Sequence, residues 1–128
     1  MTQTKSILLA EDDRFLRRAC ETKLKQAGFD VRAAVDGEEA LTLVREKIPD
    51  LLLLDLLMPK RDGLSVLATL RGDPNTKDIR VVIMSNSSKD LERQKASSLG
   101  VVDYWIKSNL SLQELCDRVS QLLNGPAE

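Results

Sequence analysis

Leu51-Leu52-Leu53-Leu54-Asp55, running on into Leu56-Leu57-Met58-Pro59, is the stretch that decides how the chain folds. Four consecutive leucines are too short to cross a membrane and show no alternation, so they predict a central strand of a parallel sheet, buried on both faces. Asp55 then falls where that strand ends. A carboxylate beside so apolar a run is costly to desolvate unless a cation or hydrogen-bond donors meet it. Asp55 therefore calls for a partner elsewhere in the chain.

On the N-terminal side, Ser6-Ile7-Leu8-Leu9-Ala10 reads as a first strand, ended by Glu11-Asp12-Asp13. A helix follows, with Asp13 as its N-cap, an inward stripe of Leu16, Cys20, Leu24 and Ala27, and Gly28 as its stop. Phe29-Asp30-Val31-Arg32-Ala33-Ala34 begins with the alternation of a half-exposed edge strand. Asp36 with Glu39 has the spacing of a capping box. It opens a second helix whose buried face is Ala40, Leu41, Val44 and Ile48 and which closes at Pro49.

Beyond the leucines, an irregular loop through Pro59 and Asp62 leads to a third helix from about Gly63. Leu64, Leu67 and Leu70 face inward there, and Gly72-Asp73-Pro74-Asn75 breaks the helix. Ile79-Arg80-Val81-Val82-Ile83-Met84 is a fourth strand leading to Ser85-Asn86-Ser87-Ser88. Ser87 or Ser88 would cap a fourth helix that ends at Gly100, with Lys89, Arg93 and Lys95 on its solvated face. Val101 to Ile106 forms a fifth strand that delivers Lys107 at its end, with Trp105 packed inside. Ser111 and Glu114 form a second capping box, and Leu112, Leu115, Cys116, Val119, Leu122 and Leu123 stripe a last helix stopped by Asn124-Gly125-Pro126.

Five strands alternating with five helices call for an α/β doubly wound parallel sheet, with one domain over residues 1–128 and its core over about 5–124. In such sheets ligands lie beyond the carboxyl ends of the strands, at the switch point in strand order. The polar residues at those ends are Glu11, Asp12 and Asp13, then Asp55, Ser85 and Lys107, and they should converge at one edge.

Composition narrows the chemistry. The 128 residues carry 19 Lys plus Arg against 20 Asp plus Glu, a net charge of -1, so no global field draws the chain to nucleic acid or membrane. No apolar stretch suggests a signal peptide or a span, and a cytoplasmic location is expected. The two cysteines, Cys20 and Cys116, fall on helix stripes and are expected to be free. Histidine is absent, which removes a Ser-His-Asp triad, a Cys-His pair, a His metal site and a phosphohistidine carrier. Chemistry here must run on carboxylates, hydroxyls and lysine.

Clustered carboxylates remain ionised only with a cation, and an oxygen-only ligand set suits Mg²⁺ or Mn²⁺ better than Zn²⁺. Such an ion beside Asp55 would neutralise an incoming phosphoryl group and leave the carboxylate to attack phosphorus, with Lys107 and the Ser85 hydroxyl gripping the phosphoryl oxygens.

At this point the chain resembles the receiver domains of bacterial response regulators in two-component signalling, including single chemotaxis-type receivers. The likeness rests on Ile7 to Asp13, Asp55-Leu56-Leu57-Met58-Pro59 with Asp62-Gly63, Met84-Ser85, and Asp103-Tyr104-Trp105-Ile106-Lys107. It implies a flavodoxin-like five-stranded sheet of order 2-1-3-4-5. Asp55 would accept a phosphoryl group from a histidine kinase or phosphotransfer protein. Mg²⁺ would be held by Asp12, Asp55 and the main-chain carbonyl of Leu57, with Glu11 acting through water. Ser85 would be the switch hydroxyl, Tyr104 the ring that turns inward, and Lys107 the holder of phosphoryl charge. The fourth helix, fifth strand and fifth helix would report the state to a downstream protein or to a second copy of the chain. Direct nucleic-acid binding, membrane insertion and independent substrate turnover are not implied.

Three positions depart from the family pattern. Ser108 follows Lys107 where proline is usual, Asn86 follows Ser85 where a small residue is usual, and Leu57 lies near the phosphoryl position. The conformation of the loop after the fifth strand, access to the phosphoryl group and the lifetime of the phosphorylated state are therefore not carried over. Among other classes, an aspartate-nucleophile phosphohydrolase needs a second Asp two residues after the first, where Leu57 stands. A flavodoxin-like FMN protein needs a Ser/Thr/Gly phosphate loop, and neither the first nor the third strand is followed by one. A receiver-fold interaction module working without phosphorylation is the remaining alternative. The opening Met1 and the terminated last helix lead us to expect a chain acting alone, not a piece of a longer regulator.

Overall fold

The leucine strand takes the central place in a five-stranded parallel sheet. A computed structural model describes residues 4–87 and 89–124 of the chain. The strands are β1 (Ser6–Ala10), β2 (Asp30–Ala34), β3 (Leu51–Asp55), β4 (Val81–Ser85) and β5 (Asp103–Ile106), in spatial order β2-β1-β3-β4-β5. The helices are α1 (Arg14–Gln26), α2 (Gly37–Glu46), α3 (Gly63–Arg71), α4 (Asp90–Ser98) and α5 (Leu112–Asn124). A short 3₁₀ turn over Lys107–Asn109 joins β5 to α5. The expected Ser88 cap and the Gly125-Pro126 stop lie outside the described residues.

Alternation along the strands divides the core into two layers. Leu52 and Leu54 join Leu8, Val81 and Ile83 under α2, α3 and α4. Leu51 and Leu53 join Ile7, Val82 and Trp105 under α1 and α5. Because the chain steps from β1 outward to β2 and then back across to β3, the switch in strand order lies between β1 and β3. Leu53 is fully buried, so Leu53→Ala is expected to cost about 2–5 kcal/mol in urea unfolding, the usual range for a leucine truncated in a tight core.

Several expected boundaries moved. Lys47 is extended, and the residue before a proline is disfavoured in helix, so α2 stops at Glu46 and Ile48 lies outside it, 46% exposed rather than on the buried face. Ala27 is the C-cap of α1 and exposed, because the helix ends at Gln26 before the stripe reaches it. Leu112, the first residue of α5, is likewise exposed, and in α3 Val66 is buried while Leu64 is only partly so. β4 begins at Val81, not Ile79, and β5 at Asp103, not Val101. Gly28 and Gly100, with φ of 99° and 73°, end α1 and the α4 turn in the left-handed region that favours glycine.

The caps follow the sequence with two differences. Asp13 Oδ1 accepts the Phe15 and Leu16 N–H groups, and Ser111 and Glu114 exchange reciprocal bonds. Asp36 Oδ1 accepts the Glu39 N–H, but Glu39 returns to the Val35 N–H instead of to Asp36. Ser87 does not cap α4. Lys89 holds that position without a side-chain cap, and the Ser87 hydroxyl accepts the Lys89 N–H in a tight turn. Cys20 and Cys116 are free and buried. Among the described residues no helix is long and apolar enough to cross a membrane.

Candidate functional site

Register brings the strand ends level. Ala10 pairs with Leu54, Asp55 with Met84 and Ser85 with Ile106, so Glu11, Asp55, Ser85 and Lys107 leave the sheet side by side. Asp12 follows Glu11 at the same edge and is exposed.

Glu11 is 0% exposed and Asp55 4%. Lys107 Nζ lies 2.6 Å from Glu11 Oε1 and 3.0 Å from Asp55 Oδ2, so one ammonium bridges two buried carboxylates. This is the cation that the leucine strand required. Its pairing with Glu11 is closer than that with Asp55, and the spacing of the motifs did not reveal it. Glu11 Oε2 also accepts the Asp13 N–H at 3.0 Å, and Asp55 Oδ1 accepts the Leu57 N–H at 3.3 Å.

One positive charge does not neutralise two negative ones in so dry a place. Burial pushes the Asp55 carboxyl up, the neighbouring Glu11 charge pushes it further, and Lys107 only partly offsets them, leaving it near pH 7 instead of 3.8. Burial lowers the Lys107 ammonium, but its two carboxylate partners outweigh that and hold it above its usual value. Asp55 is thus raised despite its ion pair, because desolvation and Glu11 together exceed the attraction of Lys107.

One carboxylate oxygen each from Glu11, Asp12 and Asp55 lies within 4.8 Å of the others. Oxygens gathered this closely would let the three carboxylates hold a hard cation such as Mg²⁺, directly or through water. The surplus negative charge and the all-oxygen donor set fit such an ion. Thiol and imidazole ligands are missing from the group.

The hydroxyl side of the site lies on β4. Ser85 is buried, with its Oγ accepting the Ser87 N–H at 2.9 Å. The Ser87 carbonyl in turn accepts the Tyr104 hydroxyl at 2.9 Å. Tyr104 is buried, turned in against the α4 side of the core, and the Arg93 guanidinium sits 5.1 Å above its ring. Arg93 is therefore engaged, although it is exposed as expected of the helix face. Trp105 is packed in the opposite layer and its indole N–H donates to Asp103 Oδ2.

Two of the departing positions, Leu57 at 69% and Asn86, are exposed at the rim. The third, Ser108, lies in the 3₁₀ turn, and every peptide bond among the described residues is trans.

Two contributors were missed by the sequence reading. Arg17, which lies outside the inward stripe of α1, donates from Nη1 to the carbonyls of Glu11 and Asp12 and braces the acidic turn. Gly63 presses on the acceptor's own backbone: a Cβ there would overlap the Asp55 carbonyl oxygen and lie 2.9 Å from Leu56 Cα. Both act on main-chain atoms, which spacing does not display.

Residues 7–120 match the family model described as response regulator receiver domain. A probable transcriptional regulator, ycf27, of Porphyridium aerugineum is 37% identical over 121 residues, covering 94% of this chain and 49% of that protein. The chain thus spans about half the length of the curated relatives it matches. A phosphorylated cyanobacterial phytochrome response regulator, RcpA, superposes with a TM-score of 0.84 at 31% identity, covering 98% of each chain. The Mn²⁺-bound form of response regulator Rcp1 does so with a TM-score of 0.85 at 28% identity, covering 96% of this chain and 97% of that one.

Proposed function

The chain belongs to the response regulator receiver family of two-component systems, and from that premise we propose that it is a phosphoacceptor switch whose acceptor is Asp55. The observation that carries this reading is Lys107 Nζ held between Glu11 and Asp55 at the strand ends, with the Asp12 carboxylate beside them. The same strand-end chemistry is supported by two similar proteins, one described as phosphorylated and one as Mn²⁺-bound.

Asp12, Asp55 and the Leu57 carbonyl would hold Mg²⁺ or Mn²⁺, with Glu11 contributing through water. When bound, the ion supplies positive charge against the phosphoryl oxygens. Asp55 Oδ attacks phosphorus as the phosphorus–nitrogen bond to the donor imidazole breaks, and the electron pair leaves with that imidazole. Lys107 swings its charge toward the phosphoryl oxygens. The Ser85 hydroxyl releases the Ser87 N–H and donates to a phosphoryl oxygen.

Ser87 links the two halves of the switch, since its N–H bonds Ser85 and its carbonyl bonds Tyr104. Freeing its N–H repositions the turn before α4, and the Tyr104 ring follows. The face made by α4, β5 and α5 then changes its affinity for a protein partner, a second copy of the chain included. The phosphoryl donor is a histidine kinase or phosphotransfer protein in the cytoplasm. The receiver itself, taken as one module over about 5–124, contacts neither nucleic acid nor membrane and turns over no separate substrate.

The test is beryllium fluoride with Mg²⁺, which mimics an acyl phosphate. Amide shifts are expected at Asp55, Ser85, Ser87 and Lys107 in the wild type. No Mg²⁺-dependent response at those residues would overturn the reading.

A pH dependence follows from the raised Asp55 carboxyl. Below about pH 7 the ion must displace a proton, so Mg²⁺ affinity is expected to fall by about tenfold for each unit of further acidification and to level off above it. Titrations at pH 6, 7 and 8, followed by amide shifts, measure this. A flat profile would contradict it.

A further inference from the structure

The loop carrying Leu57 between β3 and α3 is gripped by the start of α2, although none of the chemistry-bearing motifs lies there. Three successive loop residues touch Asp36 and Gly37. The Gly37 N–H points at the Pro59 carbonyl at 3.5 Å, Lys60 Nζ lies 3.6 Å from Asp36 Oδ2, and the Arg61 backbone packs directly on Gly37. A Cβ at Gly37 would overlap the Arg61 carbonyl oxygen and lie 2.7 Å from Arg61 Cβ and 2.9 Å from its carbonyl carbon. The atoms it would meet are the backbone and β-carbon of Arg61, with no flexible side-chain end among them to yield.

The loop is also held in an unusual conformation at this contact. Lys60 has φ of 68°, the one positive-φ residue other than glycine among the described residues. A long side chain there is strained, and such a conformation persists only where the surroundings impose it. Beyond it, the Arg61 guanidinium forks onto Ser65 and Thr69 of α3, and Gly63 abuts the Asp55 backbone. The loop is therefore clamped at one end against the acceptor and in its middle against α2.

We infer that Gly37 is a positioning residue for the phosphoacceptor site: its lack of a side chain lets the start of α2 set where the Leu57 loop lies relative to Asp55. This rests on the phosphoacceptor reading above. Gly37 touches neither the ion nor the phosphoryl group, and it acts through Pro59, Lys60 and Arg61.

Two measurements test it. In the wild type, adding Mg²⁺ with beryllium fluoride is expected to shift the amides of Val35 to Glu38 along with those of Asp12 and Asp55, at the same midpoint. Gly37→Ala is expected to weaken Mg²⁺ binding by about tenfold or more, as loss of a support outside the ligand shell commonly does, while every ligand remains in place. Val119→Ala, a core truncation in α5, is expected to leave Mg²⁺ affinity unchanged and serves to separate a general loss of stability from misplacement of the loop.

A folded Gly37→Ala protein that binds Mg²⁺ within twofold of wild type would overturn the inference. So would a wild-type titration in which Asp12 and Asp55 respond and Val35 to Glu38 do not, and this readout decides the matter should the variant fail to fold. Silence at Asp12 and Asp55 as well would remove the metal site itself, and this inference with it.

Discussion

Lys107→Ala is expected to destabilise the protein by about 3–5 kcal/mol at pH 8 without Mg²⁺, the range for a buried ion pair that loses one partner. The size comes from what stays behind. Glu11 and Asp55 are both buried, and Lys107 is the cation within ion-pairing distance of each among the described residues. Removing it strands two like charges in a dry site. The two remedies are protonation and a divalent ion, so the deficit should shrink toward pH 5 and shrink again when Mg²⁺ is added.

The sign follows from the unfolded chain. Without Lys107, the Asp55 carboxyl, already raised in the folded protein, is pushed further above its unfolded value. That cost is absent below about pH 4 and grows as pH rises toward the folded value. In the wild type the lysine's own contribution has the same sign but falls at a far higher pH. Its pKa is raised above 10.5, so its stabilisation is complete at neutral pH and is lost only in strong alkali. Urea unfolding of both proteins at pH 5 and pH 8, with and without Mg²⁺, measures all four arms. Equal losses in every arm would show that Lys107 acts by packing alone.

Asp55→Asn is expected to abolish phosphoryl acceptance from a small donor such as acetyl phosphate, since an amide offers no anionic oxygen to phosphorus. Mg²⁺ binding should weaken by more than tenfold, a factor that takes only about 1.4 kcal/mol, because one of three clustered carboxylates is gone. Stability should move in the opposite direction. In the wild type the folded protein holds the Asp55 proton up to about pH 7 while the unfolded chain releases it near 3.8, so stability declines with rising pH across that window. Asparagine does not titrate. The variant should therefore lack that decline and be more stable than wild type at pH 8 in Mg²⁺-free buffer. A variant that is less stable there, or that still takes up phosphoryl, would refute the assignment of Asp55.

Much of this was legible in the residues alone. The strand-end rule places Glu11, Asp55, Ser85 and Lys107 on one edge, because a doubly wound parallel sheet sends all its strand ends the same way. The caps at Asp13 and Ser111 were legible for a local reason: an acceptor side chain meets N–H groups two or three residues on. Expectations failed where local pattern gave way to chain geometry. Ile48 continued a helical stripe, yet the helix had already ended ahead of Pro49. Ser87 had the right chemistry for a cap but lies two residues before the capping position, where its hydroxyl closes a turn and its carbonyl holds Tyr104.

The sequence by itself determined the order of strands and helices, the two-sided burial of β3, the acidic strand ends and the need for a cation near Asp55. All of these follow from hydrophobic period and from the cost of desolvating a charge. Only the tertiary structure decided that Lys107 is shared between Glu11 and Asp55, that Arg17 and Gly63 brace the site through main-chain atoms, and that the start of α2 grips the Leu57 loop. The reason is that backbone carbonyls and the room left by a missing Cβ carry no signature in the order of residues. They become interactions only when distant segments are brought into contact.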